Sequence, residues 1–187
     1  MNGVERRRLK RLKNMHGRNY RIPSGMPLAR KEYAPGAPNP KIAKFSVGNA
    51  SNNYDYKLQL IAKARCQIRH NALEAARVAA NKKLGKIGED RYFLQVKVYP
   101  HVILRENKMI ATAGADRLQE GMRKAYGKPI GLAARVDDGT TLMEVSVYAN
   151  DLEAAKEAIK GAASKLPVKT SVNIIPLKAE AVQRAKT

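Results

Sequence analysis

The sequence predicts an α+β sandwich in which two helices lie on a mixed, mostly antiparallel sheet, with a basic extended arm before it and a long internal loop within it. Three observations predict this. Two stretches place apolar residues at helical spacing, several shorter ones alternate apolar and polar residues as half-buried strands do, and the stretch from His101 to Gly131 settles into neither period. At 187 residues the chain is long enough for one domain with its own core.

The arm comes first. Residues Met1 to Lys44 hold twelve Lys or Arg, including Arg18, Arg21, Arg30, Lys31 and Lys41, against Glu5 and Glu32, a net +10 out of the chain's +20. Pro23, Gly25, Pro27, Pro35, Gly36, Pro38 and Pro40 interrupt the same stretch, so regular helix is not expected beyond its first dozen residues. Tyr20, Tyr33 and the proline-fixed turns suggest a segment that orders on a partner, where a plain basic run would stay disordered. Residues 1–14 differ in composition from the extended stretch after Gly17 and form a separate extra segment, with Met15 as an alternative translation start.

The body is expected over residues 45–177, with a polar tail at 178–187. Ile42 to Val47 alternates, and Asp55 to Ile68 reads as a further strand region with Tyr56, Leu58, Leu60 and Ala62 on one face. Asn71 to Leu84 is the clearest helix, because Leu73, Ala76, Ala80 and Leu84 form one narrow apolar stripe and Gly85 or Gly88 can stop it. Arg91 to Leu104 supplies strand residues at Tyr92, Leu94, Val96 and Val98, broken by Pro100 and resumed at His101 to Leu104. Gly131 to Val136 and Leu142 to Tyr148 read as a hairpin around Asp137-Asp138-Gly139-Thr140. Asn150 or Asp151 can cap a second helix from Leu152 to Ser164, with Leu152, Ala155, Ile159 and Ala162 inward, and Lys169 to Leu177 is a last strand.

The loop, about residues 107–124, is the candidate functional element, since long loops in compact domains are usually functional or disordered. Arg105, Lys108, Arg117, Arg123, Lys124 and Lys128 can neutralise phosphates, and Asn107 and Gln119 can hydrogen-bond bases or ribose hydroxyls. Gly114, Gly121, Gly127 and Gly131 would let backbone approach a nucleic acid closely. Arg69 and His70, just before the first helix, are added as RNA-facing residues, although His70 also reads as a capping residue.

A pI near 10.2 goes beyond what solubility needs and attracts polyanions, with nucleic acid the leading partner. No apolar run approaches a spanning helix and no signal peptide is visible, so a membrane partner is not expected. Aromatics are scarce, at eight Tyr, two Phe and no Trp, which favours phosphate contacts over base stacking. Catalysis has few ingredients. His16, His70 and His101 are far apart, the single Cys66 has no motif around it, and no phosphate-cradling glycine loop occurs. No catalytic residue, metal or cofactor is expected.

Three segments carry a resemblance: Arg30 to Ile42, Ile68 to Arg77, and His101 to Val136, notably Leu104-Arg105-Glu106-Asn107-Lys108-Met109, Ala113 to Gln119, Gly121-Met122-Arg123 and Gly127-Lys128-Pro129. With them the chain resembles, over about Gly17 to Leu177, the archaeal and eukaryal large-subunit ribosomal protein family L-ten-e, counterpart of bacterial L-sixteen. Leu28-Ala29 stands where the family commonly has an aromatic and a hydroxyl residue before Arg30-Lys31, and the segment before Met15 has no obvious family equivalent. The resemblance implies an α/β-hammerhead-like fold in a cytoplasmic, non-enzymatic constituent of the large ribosomal subunit. Its implied partners are 23S-type rRNA, the 5S rRNA region nearby, aminoacyl-site tRNA and neighbouring ribosomal proteins. The loop would point toward the peptidyl transferase centre, with Arg105 anchoring its base. A free RNA-binding regulator with the same charge pattern is the first rival, and an RNA-acting enzyme the second.

Overall fold

A computed structural model of the chain describes residues 21–23, 25–107 and 125–178. Its strands are β1 (Ser46–Gly48), β2 (Tyr56–Ala62), β3 (Cys66–Arg69), β4 (Tyr92–Val96), β5 (Val102–Glu106), β6 (Lys128–Val136), β7 (Thr141–Val147) and β8 (Thr170–Pro176). The helices are α1 (His70–Leu84), between β3 and β4, and α2 (Leu152–Ala163), between β7 and β8. The α+β class is therefore as expected, and both helices fall where the apolar spacing put them. α1 buries Leu73, Ala76, Ala80 and Leu84, and α2 buries Ala155, Ala158, Ile159 and Ala162. These are mostly small residues, which lets the two helices pack on each other as well as on the sheet.

The strands do not make one sheet. Five of them run in the order β1-β4-β7-β2-β8, and three in the order β3-β6-β5. The pairings among the described strands are antiparallel, in keeping with the mostly antiparallel expectation. The expected strand region from Asp55 to Ile68 is two strands, β2 in the larger sheet and β3 in the smaller one. Arg91 to Leu104 likewise divides at Pro100 into β4 and β5, which belong to different sheets.

The expected hairpin is corrected in the same way. The turn exists, with the Thr140 N–H donating to the Asp137 carbonyl at 3.2 Å. Its strands nevertheless separate, because the end of β2 captures the turn: Gly139 N–H donates to the Ala62 carbonyl at 2.9 Å, and Ala62 N–H to the Thr140 carbonyl at 2.9 Å. The chain thus passes from β6 in one sheet to β7, beside β2, in the other. At the α2 start, Asp151 holds the N-cap position, as expected, though not through its side chain. It closes a 3-10 turn, Ala149–Asp151, and its carboxylate pairs with Arg91 at 2.9 Å.

The main core lies between the larger sheet and the two helices, with Leu58, Leu60, Leu94 and Val145 from the sheet, Cys66 and Ile68 from β3, and Ala134 and Val136 from β6. A second cluster of Ala34, Ile103 and Leu132, joined by Leu28 and Ala37, fastens the arm to the smaller sheet. Among the described residues no helix is long and apolar enough to cross a membrane.

Tight packing around the alanine stripe generates a stability prediction. Ala76, with no exposed surface, has no room for growth, so Ala76→Leu should destabilise the protein by about 1–3 kcal/mol in urea denaturation. An unchanged unfolding midpoint would mean that the helix packs more loosely than described.

Candidate nucleic-acid interface

The arm between Gly25 and Lys44 is fixed to the body at successive points along its length. The Gly25 carbonyl accepts from Arg135 Nη1 at 2.8 Å, and the Leu28 carbonyl accepts from the Ile103 N–H at 2.7 Å, at the open edge of β5. Ala34 is buried in the second cluster just after a 3-10 turn, Lys31–Tyr33. Farther on, the Lys41 N–H donates to His70 Nδ1 at 3.3 Å and the Ala43 N–H to Glu74 Oε2 at 3.3 Å. Glu74 is itself clasped by Arg77, which holds its carboxyl below the usual carboxylate range, and the Ala43 N–H acts in the same direction.

His70 is the residue whose surroundings differ most from expectation. Its side chain is only 2% exposed, whereas an RNA-facing residue would lie on the surface. Because Nδ1 accepts a backbone N–H, the ring is neutral and carries its proton on Nε2. Burial, then the nearby positive charges of Arg69 and Lys41, push its pKa below 6.5. The other face of the pocket is β6, where a Cβ on Gly131 would sit 3.4 Å from His70 Nε2. Gly131 thus lies beside the imidazole at a distance that a Cβ would meet in ordinary contact.

The loop neck is the second feature. Glu106, where β5 ends, is the cross-strand partner of Lys128, where β6 begins. Gly127 closes the neck with φ +76°, and a Cβ there would lie 2.8 Å from the Glu106 carbonyl carbon and 2.9 Å from the Asn107 nitrogen. Only glycine satisfies both the backbone angle and the space. Its role is close approach of the chain to itself. Above the neck, the Arg105 guanidinium carbon lies 3.7 Å from the Tyr126 ring centroid, a cation–π contact. The Tyr126 hydroxyl donates to the Tyr33 carbonyl at 2.8 Å. That bond holds the turn following Arg30 and containing Lys31 beside the neck that carries Arg105, Asn107 and Lys128.

The structure therefore brings Arg30, Lys31, Arg105, Asn107 and Lys128 to one region, and Lys41, Arg69 and His70 to another, at the start of α1. Arg21 lies close enough to Cys66 to act on its thiol, which burial nonetheless pushes up to about 12, so Cys66 is not a nucleophile. Arg18, Lys108, Arg117, Gln119, Arg123 and Lys124, with the whole of residues 1–14, lie outside the described residues. Among the described residues no group of three or more His, Cys, Asp or Glu side chains could hold a metal ion. Tyr126 at the neck, and Arg135 and Gln67 toward the far end of β6, are residues that the sequence did not single out. Arg135 and Gln67 face each other across β6 and β3, a relation invisible before the strands are paired.

Unpaired cations occur on the body as well as on the arm and neck: among the described residues, Lys63, Lys82, Lys86, Lys160, Lys165 and Lys169 form no ion pair. On the body, Lys57 and Lys97 share Glu144, Arg77 holds Glu74, Lys83 holds Glu157 and Arg91 holds Asp151. Among the described residues, Arg30, Lys31, Lys41, Arg105 and Lys128 form no ion pair. Exposed cations without carboxylates, fixed along an arm and a loop neck, suit the spaced phosphates of a polyanion.

The sequence model of the family described as "Ribosomal protein L16p/L10e" matches residues 23–173. The large ribosomal subunit protein uL16 of Staphylothermus marinus is 58% identical over 156 residues, covering 83% of this chain and 90% of that protein. The uL16 proteins of Hyperthermus butylicus and Sulfolobus acidocaldarius are 57% identical over 159 residues and 55% over 168. These cover 84% and 88% of this chain, and 88% and 96% of the relatives.

The His70 contact predicts a pH effect. Because the folded-state pKa is depressed, the contribution to stability is fully present above the unfolded value of 6.5 and is lost as pH falls from there through the folded pKa. Glu74 adds a separate loss only below the ordinary glutamate value of 4.5. Amide exchange at Lys41 should accelerate, after correction for intrinsic rates, as pH falls below 6.5, and His70→Asn, which keeps an acceptor, should flatten that response. Identical pH profiles for the two proteins would contradict the assignment.

Proposed function

The chain belongs to the ribosomal protein L16p/L10e family, and from that membership we propose that it is a structural constituent of the cytoplasmic large ribosomal subunit, not an enzyme. Its arm and loop neck bind 23S-type rRNA, chiefly through phosphates. The loop of residues 107–124 extends that surface toward the aminoacyl-tRNA site and the approach to the peptidyl transferase centre, with the 5S rRNA region and other ribosomal proteins as neighbours. In this reading Arg117, Arg123 and Lys124 contact rRNA or tRNA, and the chemistry of peptide bond formation belongs to RNA.

The observation that carries the reading is the joining of two basic segments distant in sequence. Tyr126 binds Tyr33, so Arg30 and Lys31 of the arm lie beside Arg105 and Lys128 of the neck. A folded RNA can meet both at once, and the body holds their spacing. The arm's Lys41 and the helix-leading Arg69 extend the same basic surface around the start of α1.

Two measurements check this. The protein should remain with large subunits through a high-salt wash, and its appearance only in the wash would favour the free regulator. If about six to ten phosphates are contacted, affinity for large-subunit rRNA should fall by roughly 10³–10⁵ between about 50 and 200 mM salt. Arg30→Ala with Lys31→Ala should lower the slope of log affinity against log salt by about one for each phosphate no longer neutralised. A nearly flat salt response in the unsubstituted protein would exclude a phosphate-dominated interface.

A further inference from the structure

The larger sheet has two edges, and they differ. β1 is only three residues long, while β8 runs for seven, Thr170–Pro176, and among the described residues pairs with β2 alone. Long edges are usually blunted by a lysine, a bulge, an internal proline or a covering segment. β8 contains no charged residue, keeps one unshifted register along β2, and has its proline only at the last position. The open edge of β5, by contrast, receives the arm at Leu28.

Two bonds flanking β8 fix which of its backbone groups face outward. The Lys63 N–H donates to the Lys169 carbonyl at 2.9 Å, and the Leu177 N–H to the Asp55 carbonyl at 2.8 Å. An antiparallel ladder bonds every second residue, so Ser171, Asn173 and Ile175 bond to β2, and Thr170, Val172 and Ile174 turn their N–H and C=O groups to the open side. The side chains of Val172 and Ile174 lie on the helix side of the sheet, opposite Leu60 and Leu58. Both leucines are fully buried, whereas Val172 and Ile174 are each 38% exposed. The core therefore ends at β8 in an uncovered apolar margin, beside a row of open backbone groups. At the start of the strand Lys169 stands opposite Lys63; both are exposed and neither forms an ion pair. Like charges so placed repel, and an acid beside them would relieve the repulsion.

We propose that another protein of the large subunit adds an extended segment to β8 as a further strand of the sheet. Its backbone bonds to Val172 and Ile174, two aliphatic side chains two residues apart complete the apolar margin, and a carboxylate lies beside Lys169. Alternating donors and acceptors match the edge of a peptide, whereas RNA phosphates only accept and would meet no cation within β8. A second copy of this chain would bring its own +20 charge to the interface. The proposal goes beyond the RNA-binding reading, which concerns the arm and the neck, and takes from it only the assembled subunit as the setting.

The test compares the full chain free and in assembled large subunits. Amide exchange at Val172 and Ile174 should be fast in the free protein and slow in the subunit, with Ser171, Asn173 and Ile175 protected in both. A diazirine-bearing aliphatic residue in place of Val172 should cross-link, in the subunit, to one protein, at a segment with alternating aliphatic residues and a neighbouring acid. Ile174→Pro removes an outward N–H and no bond to β2, so it should lower that cross-link roughly tenfold. Continued protection of Ser171, Asn173 and Ile175 shows that β8 is still in place. Val172→Lys, read with the diazirine at position 174, gives the same comparison without a proline. Fast exchange at Val172 and Ile174 in the subunit would overturn the proposal. So would a cross-link to RNA, to a second copy or to residues 179–187 of the same chain, or one that neither substitution weakens. Absence of the chain from salt-washed subunits would overturn the ribosomal reading and this proposal together; presence there without the protein cross-link overturns this proposal alone.

Discussion

The imidazole of His70 meets three parts of the chain at once. It begins α1, accepts the Lys41 N–H of the arm, and sits over Gly131 of β6. A buried polar ring is tolerated because its Nδ1 acceptor is satisfied by the arm's Lys41 N–H. The arm gains in return a fixed point in a stretch whose prolines forbid regular secondary structure. The other arm contacts described above lie upstream of this one or just beyond it, from Gly25 at Arg135 to Ala43 at Glu74.

Ordering the arm has consequences for the loop. Once Ala34 is packed with Ile103 and Leu132, the adjacent Tyr33 carbonyl is in place for Tyr126, and Tyr126 carries Arg105 on its ring. The neck itself is closed by Gly127, where the backbone returns too near Glu106 for any side chain. Basic residues of the arm and of the neck are thereby held at fixed spacing by a neutral framework of carbonyls and rings. No pairing of opposite charges is needed to bring them together, so the cations stay available for phosphate.

The helices were legible in the sequence because their apolar stripes report burial directly: Leu73, Ala76, Ala80 and Leu84 are all inside. The face of β2 was legible for the same reason. Alternation tells which side of a strand is buried and nothing about which strand lies beside it, so the division into two sheets was hidden. The turn at Asp137 to Thr140 had hairpin chemistry, yet its hydrogen bonds to Ala62 send β6 and β7 apart. At the site, charge marked Arg30, Lys31, Arg105 and Lys128. The burial of His70 was not readable, since a lone histidine before a helix carries no period. Nor was the purpose of Gly127, which depends on residues that only the fold brings near. Family resemblance reached the same segments from the motifs Arg30 to Ile42, Ile68 to Arg77 and His101 to Val136, and the family match over residues 23–173 spans all of them.

The proposed RNA-binding surface joins the arm to the loop neck. Tethered hydroxyl-radical probing in assembled large subunits tests it most directly, with the cleaving group attached in turn at Lys31, Lys128 and, on α2, Lys156. Cleavage from positions 31 and 128 should fall on the same small set of rRNA nucleotides, with position 156 cutting elsewhere or not at all. Cleavage from 31 and 128 at unrelated nucleotides, or from neither, would contradict the account.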